Sequence, residues 1–204
     1  LVERSGKMSK SSGEFLRLQL LIDKGYHPLA YRMMCLQAHY RSELEFSWDG
    51  LQAALVRLKR LVMAVATLRG QAEPAPEAGE RFSAYLERFG AAVADDLNTA
   101  VGLTVLEEVV ALKKVDAGQK LAAIAAMDSV LGLGLLALGR TDLRLRPKAA
   151  TITEAEIEAV LTERKDARAA KDFATSDRLR DEFAAQGVEV MDGDPLGWDW
   201  KLGE

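Results

Sequence analysis

Two lysines three positions apart lie in a loop near the start of the sequence, among small residues that leave the backbone free to move. The stretch from Gly6 to Gly13 is Gly-Lys-Met-Ser-Lys-Ser-Ser-Gly. Lysine is a compact cation, and a mobile loop can bring it to a nucleotide only once that nucleotide is bound. Lys7 and Lys10 are therefore predicted to neutralise the charge that develops on a departing pyrophosphate. The alternative is a solvated basic linker.

The other reactive side chains do not indicate metal chemistry. Neither His27 nor His39 has a second histidine, a cysteine or a close carboxylate at ligand spacing. The single cysteine, Cys35, can form no disulfide within the chain and supplies no thiolate cluster, which fits a reducing compartment. We expect no zinc site here.

Apolar residues recur at three- and four-residue steps through the middle of the chain, which predicts four amphipathic helices. Ser47 is the expected N-cap of the first helix. The four stripes are Leu51, Leu55, Leu58, Val62 and Val65; Phe82, Leu86, Phe89 and Val93; Val101, Val105, Val109 and Leu112; and Leu121, Ile124, Val130 and Leu131. Because stripes at this spacing pack into a core, we predict a helical bundle and assign these residues no chemistry.

The last fifty residues predict two helices and a hairpin. Thr153 and Glu156 form a capping box, and the helix that starts there is expected to run through Lys171. Asp172 is placed to cap a second helix, which Gly187 ends. Apolar residues then alternate on either side of the turn at 192–195. The predicted fold class is mainly α: a helical bundle followed by a small α+β module of two helices and a β-hairpin.

Charge and loop-forming residues divide the chain. Residues 1–70 carry 11 Lys and Arg against 6 Asp and Glu, whereas residues 151–204 carry 7 against 14. The stretches 71–79 and 140–150 have the composition of exposed connections. We predict a loop and stem-contact helical region (1–50), a bundle (51–140), a linker (141–150) and a terminal module (151–204). A basic end suits a phosphate-bearing partner, and an acidic one repels nucleic acid unless its carboxylates act specifically.

Composition sets the broad class. The chain has 204 residues, of which 49% are hydrophobic and 28% charged. This balance excludes disordered, collagen-like and disulfide-knot classes. Neither a membrane-spanning run nor a signal peptide is visible, so we expect a cytoplasmic protein with no membrane partner. Since the first residue is leucine, we expect the sequence to be part of a longer protein.

Four segments carry a resemblance to a known family. The string Lys7-Met8-Ser9-Lys10-Ser11 is the KMSKS signature of class I aminoacyl-tRNA synthetases. Residues 39–47 (HYRSELEFS), 95–99 (DDLNT) and 164–192 occur in the same order as similar segments of cysteinyl-tRNA synthetases. The signature is shared by several synthetases, but the combination resembles the cysteine enzymes, from the KMSKS loop onward.

The resemblance implies an enzyme that activates cysteine with ATP and transfers it to tRNA(Cys). Lys7 and Lys10 correspond to catalytic lysines, and Lys7, Met8, Ser9, Lys10 and Ser11 to the ATP-binding loop. The family's nucleotide-binding catalytic domain and its zinc ligands precede the signature, so zinc is expected only there. We therefore predict that these 204 residues alone form no cysteinyl-adenylate. A monomer is expected.

The resemblance also assigns anticodon contacts to the terminal module. The positions that recognise bases in the family correspond here to Arg168, Asp177 and Asp192. Carboxylates accept hydrogen bonds from donors on unstacked bases, so an acidic module can recognise bases while gaining little from phosphates. For Asp177 the alternative is an ion pair on a solvated helix face. Trp200 corresponds to a family tryptophan that either stacks on a base or closes the hairpin.

Other functions remain open at this point. One is a stand-alone tRNA-binding or scaffolding protein derived from such an enzyme. Another is the related ligase that joins cysteine to an amino sugar, although that chemistry needs no anticodon module. A helical interaction module with an accidental signature is the alternative outside the family. Two departures from the family pattern are Glu14, which replaces an asparagine, and Lys201, which replaces an arginine and so removes any bidentate contact there.

Overall fold

The computed structural model describes residues 2–3 and 17–203, and over these the chain is mainly helical. The elements in chain order are β1 (Val2–Glu3), α1 (Leu18–Asp23), α2 (Pro28–Leu36), β2 (Glu45–Phe46), α3 (Trp48–Arg69), α4 (Ser83–Ala94), α5 (Thr99–Ala111), α6 (Ala117–Leu131), α7 (Glu154–Ala169), α8 (Phe173–Ala185), β3 (Val188–Val190) and β4 (Trp198–Trp200). Strands β1 and β2 pair in parallel, and β3 and β4 pair antiparallel. The predicted fold class is confirmed.

The chain divides into two compact units. Among the described residues, the first unit contains 2–3 and His27–Leu143, and the second contains Arg17–Tyr26 with residues 144–203. The four-part domain division made from the sequence stays a prediction.

Helix α3 supplies much of the core of the first unit. Its predicted stripe, Leu51, Leu55, Leu58, Val62 and Val65, is fully buried. The helix begins where the sequence predicted, because the Ser47 hydroxyl accepts a hydrogen bond from the Gly50 amide at 3.1 Å. It packs against α2, α5 and α6, which makes this unit a helical bundle.

Two of the predicted apolar stripes are partly wrong. Val101 and Val130 are exposed, whereas Leu103 and Leu106 lie in the core. Helix α5 is apolar almost all round, so a three- or four-residue step fits more than one of its faces. The packing partners, rather than the period, select the buried face.

The second unit has a smaller core with two tryptophans in it. Its buried cluster consists of Ile152, Ile157, Phe183, Val188, Trp198 and Trp200. Helix α7 packs against α8, and α8 against β3. Helix α1 joins this unit, which the sequence did not predict: the Lys148 amide donates to the Asp23 carbonyl at 2.8 Å. Gly25, with φ of +90°, lies where a Cβ would come within 2.8 Å of Leu202.

None of the helices within residues 17–203 combines the length and the apolar character that crossing a bilayer requires.

Candidate nucleic-acid interface

The two helices of the second unit start and stop at predicted residues or close to them. The Thr153 hydroxyl accepts from the Glu156 amide at 3.3 Å, and the Glu156 carboxylate accepts from the Thr153 amide at 2.7 Å, which confirms the capping box. Helix α7 ends at Ala169 rather than running through Lys171, whose φ of +60° is incompatible with the helix. Asp172 caps α8 as predicted, accepting from the Thr175 amide at 3.0 Å.

The predicted hairpin is confirmed and positions an aspartate beside α7. Val188 pairs with Trp200, and Val190 with Trp198. The connecting turn is held by a hydrogen bond from the Met191 amide to the Gly197 carbonyl at 2.9 Å. Asp192 is therefore the second residue beyond the end of β3.

A cluster of two arginines and one aspartate joins α7 to this turn. The Arg164 guanidinium donates from Nη1 to Oδ1 of Asp192 at 3.1 Å and from Nη2 to Oδ2 at 3.3 Å. Arg168 Nη1 donates to the same Oδ2 at 3.0 Å. The structure thus brings together Arg168 and Asp192, two of the three residues predicted to recognise bases.

Arg164 was missed by the sequence argument as a member of this cluster. It lies four residues before Arg168, and residues at this spacing share one face of a helix. That spacing was the available signal. Its side chain is only 8% exposed, compared with 48% for Arg168 and 64% for Asp192. Arg164 is therefore the buried member of the cluster, and the side chains of Arg168 and Asp192 are its solvent-accessible members.

The charges of the cluster stabilise the ionised form of the aspartate. The hydrogen bonds from Arg164 hold the pKa of the Asp192 carboxyl below its ordinary value; burial opposes them, and the hydrogen bond and charge of Arg168 add to the lowering. Asp192 is consequently a carboxylate at neutral pH and acts only as an acceptor.

Arg164, Arg168 and Asp192 line an open cavity of about 550 Å³ between α7 and the hairpin turn. Glu158 and Lys165 contribute further charges to its wall, and Leu161, Val190 and Pro195 contribute apolar surface. A cavity that combines apolar walls with a few convergent donors and acceptors is typical of a ligand-binding site.

Asp177 lies outside this cluster. It is exposed on α8, and its carboxylate lies 3.6 Å from Arg180, three residues later on the same helix. This is an ion pair of the kind that the sequence allowed as the alternative to base recognition. The structure records no contact between Asp177 and either Arg168 or Asp192 among the described residues.

Both tryptophans of the hairpin are buried. Trp200 is 3% exposed and lies edge-on to Trp198, with ring centroids 5.2 Å apart. Trp198 donates its indole N–H to Glu158 at 2.7 Å, and the Arg144 guanidinium stacks 3.7 Å from its ring centroid. Base stacking by Trp200 stays a prediction, but its burial favours the packing alternative because neither ring face is accessible.

Two segments that carried the family resemblance meet in the first unit. The Tyr40 hydroxyl donates to Oδ1 of Asp96 at 2.6 Å, and Arg41 Nε lies 2.9 Å from Oδ2. Asp96 and Leu97 adopt φ of +56° and +55°, which is uncommon for residues other than glycine. The ion pair and the left-handed turn together fix the connection between α4 and α5.

The described part of the chain contains no group of three or more potential metal ligands, and neither histidine therefore belongs to such a group there. Nδ1 of His27 accepts from the Leu29 amide at 3.2 Å and caps α2. Burial lowers the pKa of His27, and the charge of Asp142 opposes this effect. His39 lies 3.7 Å from Asp96, a carboxylate that the sequence argument did not place near it.

The predicted nucleotide-binding loop lies outside the described residues. Lys7, Met8, Ser9, Lys10 and Ser11 all fall in the part of the chain to which the structure assigns no geometry.

Comparison with known proteins identifies the terminal module. Residues 153–195 match the family model described as the cysteinyl-tRNA ligase anticodon-binding domain. The matched segment contains the Arg164, Arg168 and Asp192 cluster and Asp177.

Comparison of the whole chain gives relatives from several bacteria, all named cysteine–tRNA ligase. The chain is 73% identical to that of Novosphingobium aromaticivorans over 99% of its own length and 41% of the relative's. It is 46% identical to that of Zymomonas mobilis over 98% and 45%, and 38% identical to that of Pseudomonas aeruginosa over 97% and 42%. The chain thus spans about two fifths of the length of these curated relatives.

The fold and the cluster define a mainly α chain that ends in a domain of the anticodon-binding class. The similarity extends beyond this domain over nearly all the residues. The chain belongs to the cysteinyl-tRNA synthetase family and represents a C-terminal part of it, as the resemblance predicted.

Proposed function

We propose that the chain is the tRNA-recognition part of a cysteine–tRNA ligase, an enzyme that activates cysteine with ATP and transfers it to tRNA(Cys). The observation that carries the proposal is the accessible Arg168–Asp192 pair at a cavity within the matched domain. A donor and an acceptor side by side complement the edge of an unstacked base, on which donors and acceptors also alternate.

The acidic character of the module supports base recognition over backbone binding. A carboxylate repels phosphates, so an exposed aspartate favours donors on the bases of an open loop. Asp192 accepts from such a donor, and Arg168 exchanges its contact with Asp192 for a base acceptor or a stacked base. Asp177 is a third proposed base contact, made after its exposed pair with Arg180 opens. We propose that Trp200 packs the hairpin against the helices.

The chemistry of activation is assigned to the signature loop. Lys7 and Lys10 are proposed to stabilise charge on the phosphates of ATP, with Met8, Ser9 and Ser11 completing the binding loop. Adenylate formation and the zinc that holds the cysteine thiolate are proposed to need residues beyond these 204. We further propose a cytoplasmic, monomeric enzyme.

RNA binding by the 204-residue chain tests the proposal. We expect tighter binding of a tRNA(Cys) transcript than of the same transcript with a substituted anticodon, measured by fluorescence anisotropy at fixed salt. Asp192→Ala is expected to remove most of this preference, because each well-formed base contact contributes roughly 1–3 kcal/mol of discrimination. Equal affinity of the unmodified chain for both transcripts would contradict the proposal.

A further inference from the structure

Arg164 has the geometry of a group that acts on Asp192 rather than on a ligand. Its side chain is 8% exposed, whereas that of Asp192 is 64% exposed. Its two Nη atoms both donate to the Asp192 carboxylate, and its Nε is buried without a hydrogen-bond partner in the part of the chain that the structure describes. An arginine placed in this way lies in the wall of the cavity with both Nη atoms engaged by Asp192, so that it determines where the carboxylate points.

The two arginines share the aspartate unequally. Within residues 17–203, Oδ1 accepts only from Arg164, whereas Oδ2 accepts from both Arg164 and Arg168. If Arg168 leaves, Asp192 keeps a bidentate partner, and bidentate arginine–carboxylate pairs fix orientation as well as position. If Arg164 leaves, one contact from a half-exposed side chain remains, which is a weak and adaptable restraint.

We propose that Arg164 is a positioning residue for anticodon recognition. It anchors Asp192 from the buried side of the cluster, so that the carboxylate stays fixed while the Arg168 guanidinium exchanges its hydrogen bond to Asp192 for a contact with the RNA. The inference rests on the proposed function, because it names the group that prepares the same site. It also gives the buried arginine a purpose that stability alone does not supply, since buried ion pairs contribute little net stability.

The electrostatics of the site agree with this role. The largest contribution to the lowered pKa of the Asp192 carboxyl is the hydrogen bonding from Arg164. The other charged groups around the cavity are Glu158, Lys165, Arg168 and Asp194. Loss of Arg164 therefore removes the principal cation facing the carboxylate, and the pKa of Asp192 is expected to rise towards its ordinary value.

The experiment uses Arg164→Met, which keeps the length of the side chain and removes the fork. The 204-residue chain is titrated with tRNA(Cys) and with the anticodon-substituted transcript. The readout is the dissociation constant for the substituted transcript divided by that for tRNA(Cys), so a larger ratio means a stronger preference for tRNA(Cys). We expect Arg164→Met to reduce this ratio about tenfold, and Arg164→Lys, which keeps the charge without the bidentate geometry, to restore part of it.

A double-mutant cycle with Asp192→Asn separates positioning from a structural role. If Arg164 acts through Asp192, Arg164→Met has no further effect on the ratio once Asp192 is replaced. A structural role predicts that Arg164→Met further weakens the binding of both RNAs in the Asp192→Asn background, and this result would overturn the inference. Should Arg164→Met fail to fold, Arg164→Lys decides, because an unchanged ratio in that variant overturns the inference equally.

A matched control is available in the first unit. Arg88 makes a bidentate pair with Glu108 at 2.7 and 3.0 Å, so Arg88→Met removes an exposed arginine–carboxylate pair with the same bidentate geometry from the other unit. Its ratio is expected to equal that of the unmodified chain. Failure of the proposed function is distinguishable from failure of this inference, because the unmodified chain then shows no preference for tRNA(Cys) at all. A preference that persists in Arg164→Met would refute the positioning role alone.

Discussion

Two buried charges of the first unit differ from the buried Arg164 of the second unit in the kind of partner that they bind. In the first unit, Lys120 Nζ donates to the Val110 and Leu112 carbonyls at 2.6 and 2.8 Å, and the Asp128 carboxylate accepts from the Leu133 and Leu135 amides at 2.8 and 2.7 Å. In the second unit, the recorded partner of the buried Arg164 is an exposed side chain.

This difference distinguishes buried charges that stabilise the fold from a buried charge that positions a recognition residue. A buried charge that bonds to backbone groups closes the end of a helix or a turn, and its removal leaves those groups unsatisfied. A buried charge that bonds to an exposed side chain leaves the backbone satisfied and instead controls what that side chain presents. Lys120 and Asp128 thus hold loops of the bundle, whereas Arg164 prepares a surface of the terminal module.

The largest predicted effect is in the first unit. Asp128→Ala is expected to lower the free energy of unfolding by about 3 kcal/mol, because two buried amides lose their acceptor. Urea unfolding followed by circular dichroism measures it. Asp142→Ala is the control, since among the described residues that exposed carboxylate accepts from a single amide, Gly139, and its loss is expected to cost less than about 1 kcal/mol. Equal effects of the two variants would remove the distinction drawn for the bundle.

A smaller effect is expected at the start of α7. Thr153→Ala removes half of the capping box and is expected to destabilise the second unit by about 1 kcal/mol. Tryptophan fluorescence during urea unfolding reports on this unit when it is measured in a Trp48→Phe background, where Trp198 and Trp200 are the remaining tryptophans. Thr162→Ala is the matched control, because in the described structure its hydroxyl bonds only to the Glu158 carbonyl inside the helix, where alanine is tolerated or favoured. A change as large in the control would show that the cap contributes nothing specific.

Arg164→Met is expected to alter stability by less than about 1 kcal/mol, although the arginine is buried. Removal of one partner of a buried pair is costly when the other charge stays buried, but Asp192 is exposed and keeps Arg168. The same urea titration measures this change. A loss comparable to that of Asp128→Ala would place Arg164 with the architectural charges of the bundle.

The smallest effect is a pH dependence. Because the folded-state pKa of Asp192 lies below its ordinary value, the resulting stabilisation is present above that ordinary value and is lost as the pH falls through the lowered one. For so exposed a carboxylate the effect is expected to be under about 1 kcal/mol. Between neutral and acidic pH, the free energy of unfolding should therefore fall slightly more in the unmodified chain than in Asp192→Asn. Identical pH profiles would contradict the assignment.

Local signals determined the parts of the fold that the sequence could predict. Ser47, Thr153 with Glu156, and Asp172 mark helix starts through contacts within three residues, so the sequence alone identifies them. The hairpin follows from alternation around a turn for the same reason.

Long-range packing determined what the sequence missed. The burial of Leu103 in place of Val101 depends on which neighbours α5 packs against, and the association of α1 with residues 144–203 depends on contacts across most of the chain. The Arg164–Asp192 pair joins residues 28 positions apart and exists only once the hairpin turn is formed. The resemblance placed Arg168 and Asp192 in a site, but their mutual contact required the structure.

Nuclear magnetic resonance of the arginine side chains tests the central claim most directly. The labelled chain is titrated with the isolated anticodon stem–loop of tRNA(Cys), and the Nε–Hε resonances of Arg164 and Arg168 are followed. The account predicts a large shift for Arg168 on binding and a nearly unchanged, slowly exchanging signal for Arg164. Saturating RNA that leaves Arg168 unperturbed, or that releases Arg164 together with it, would contradict the account.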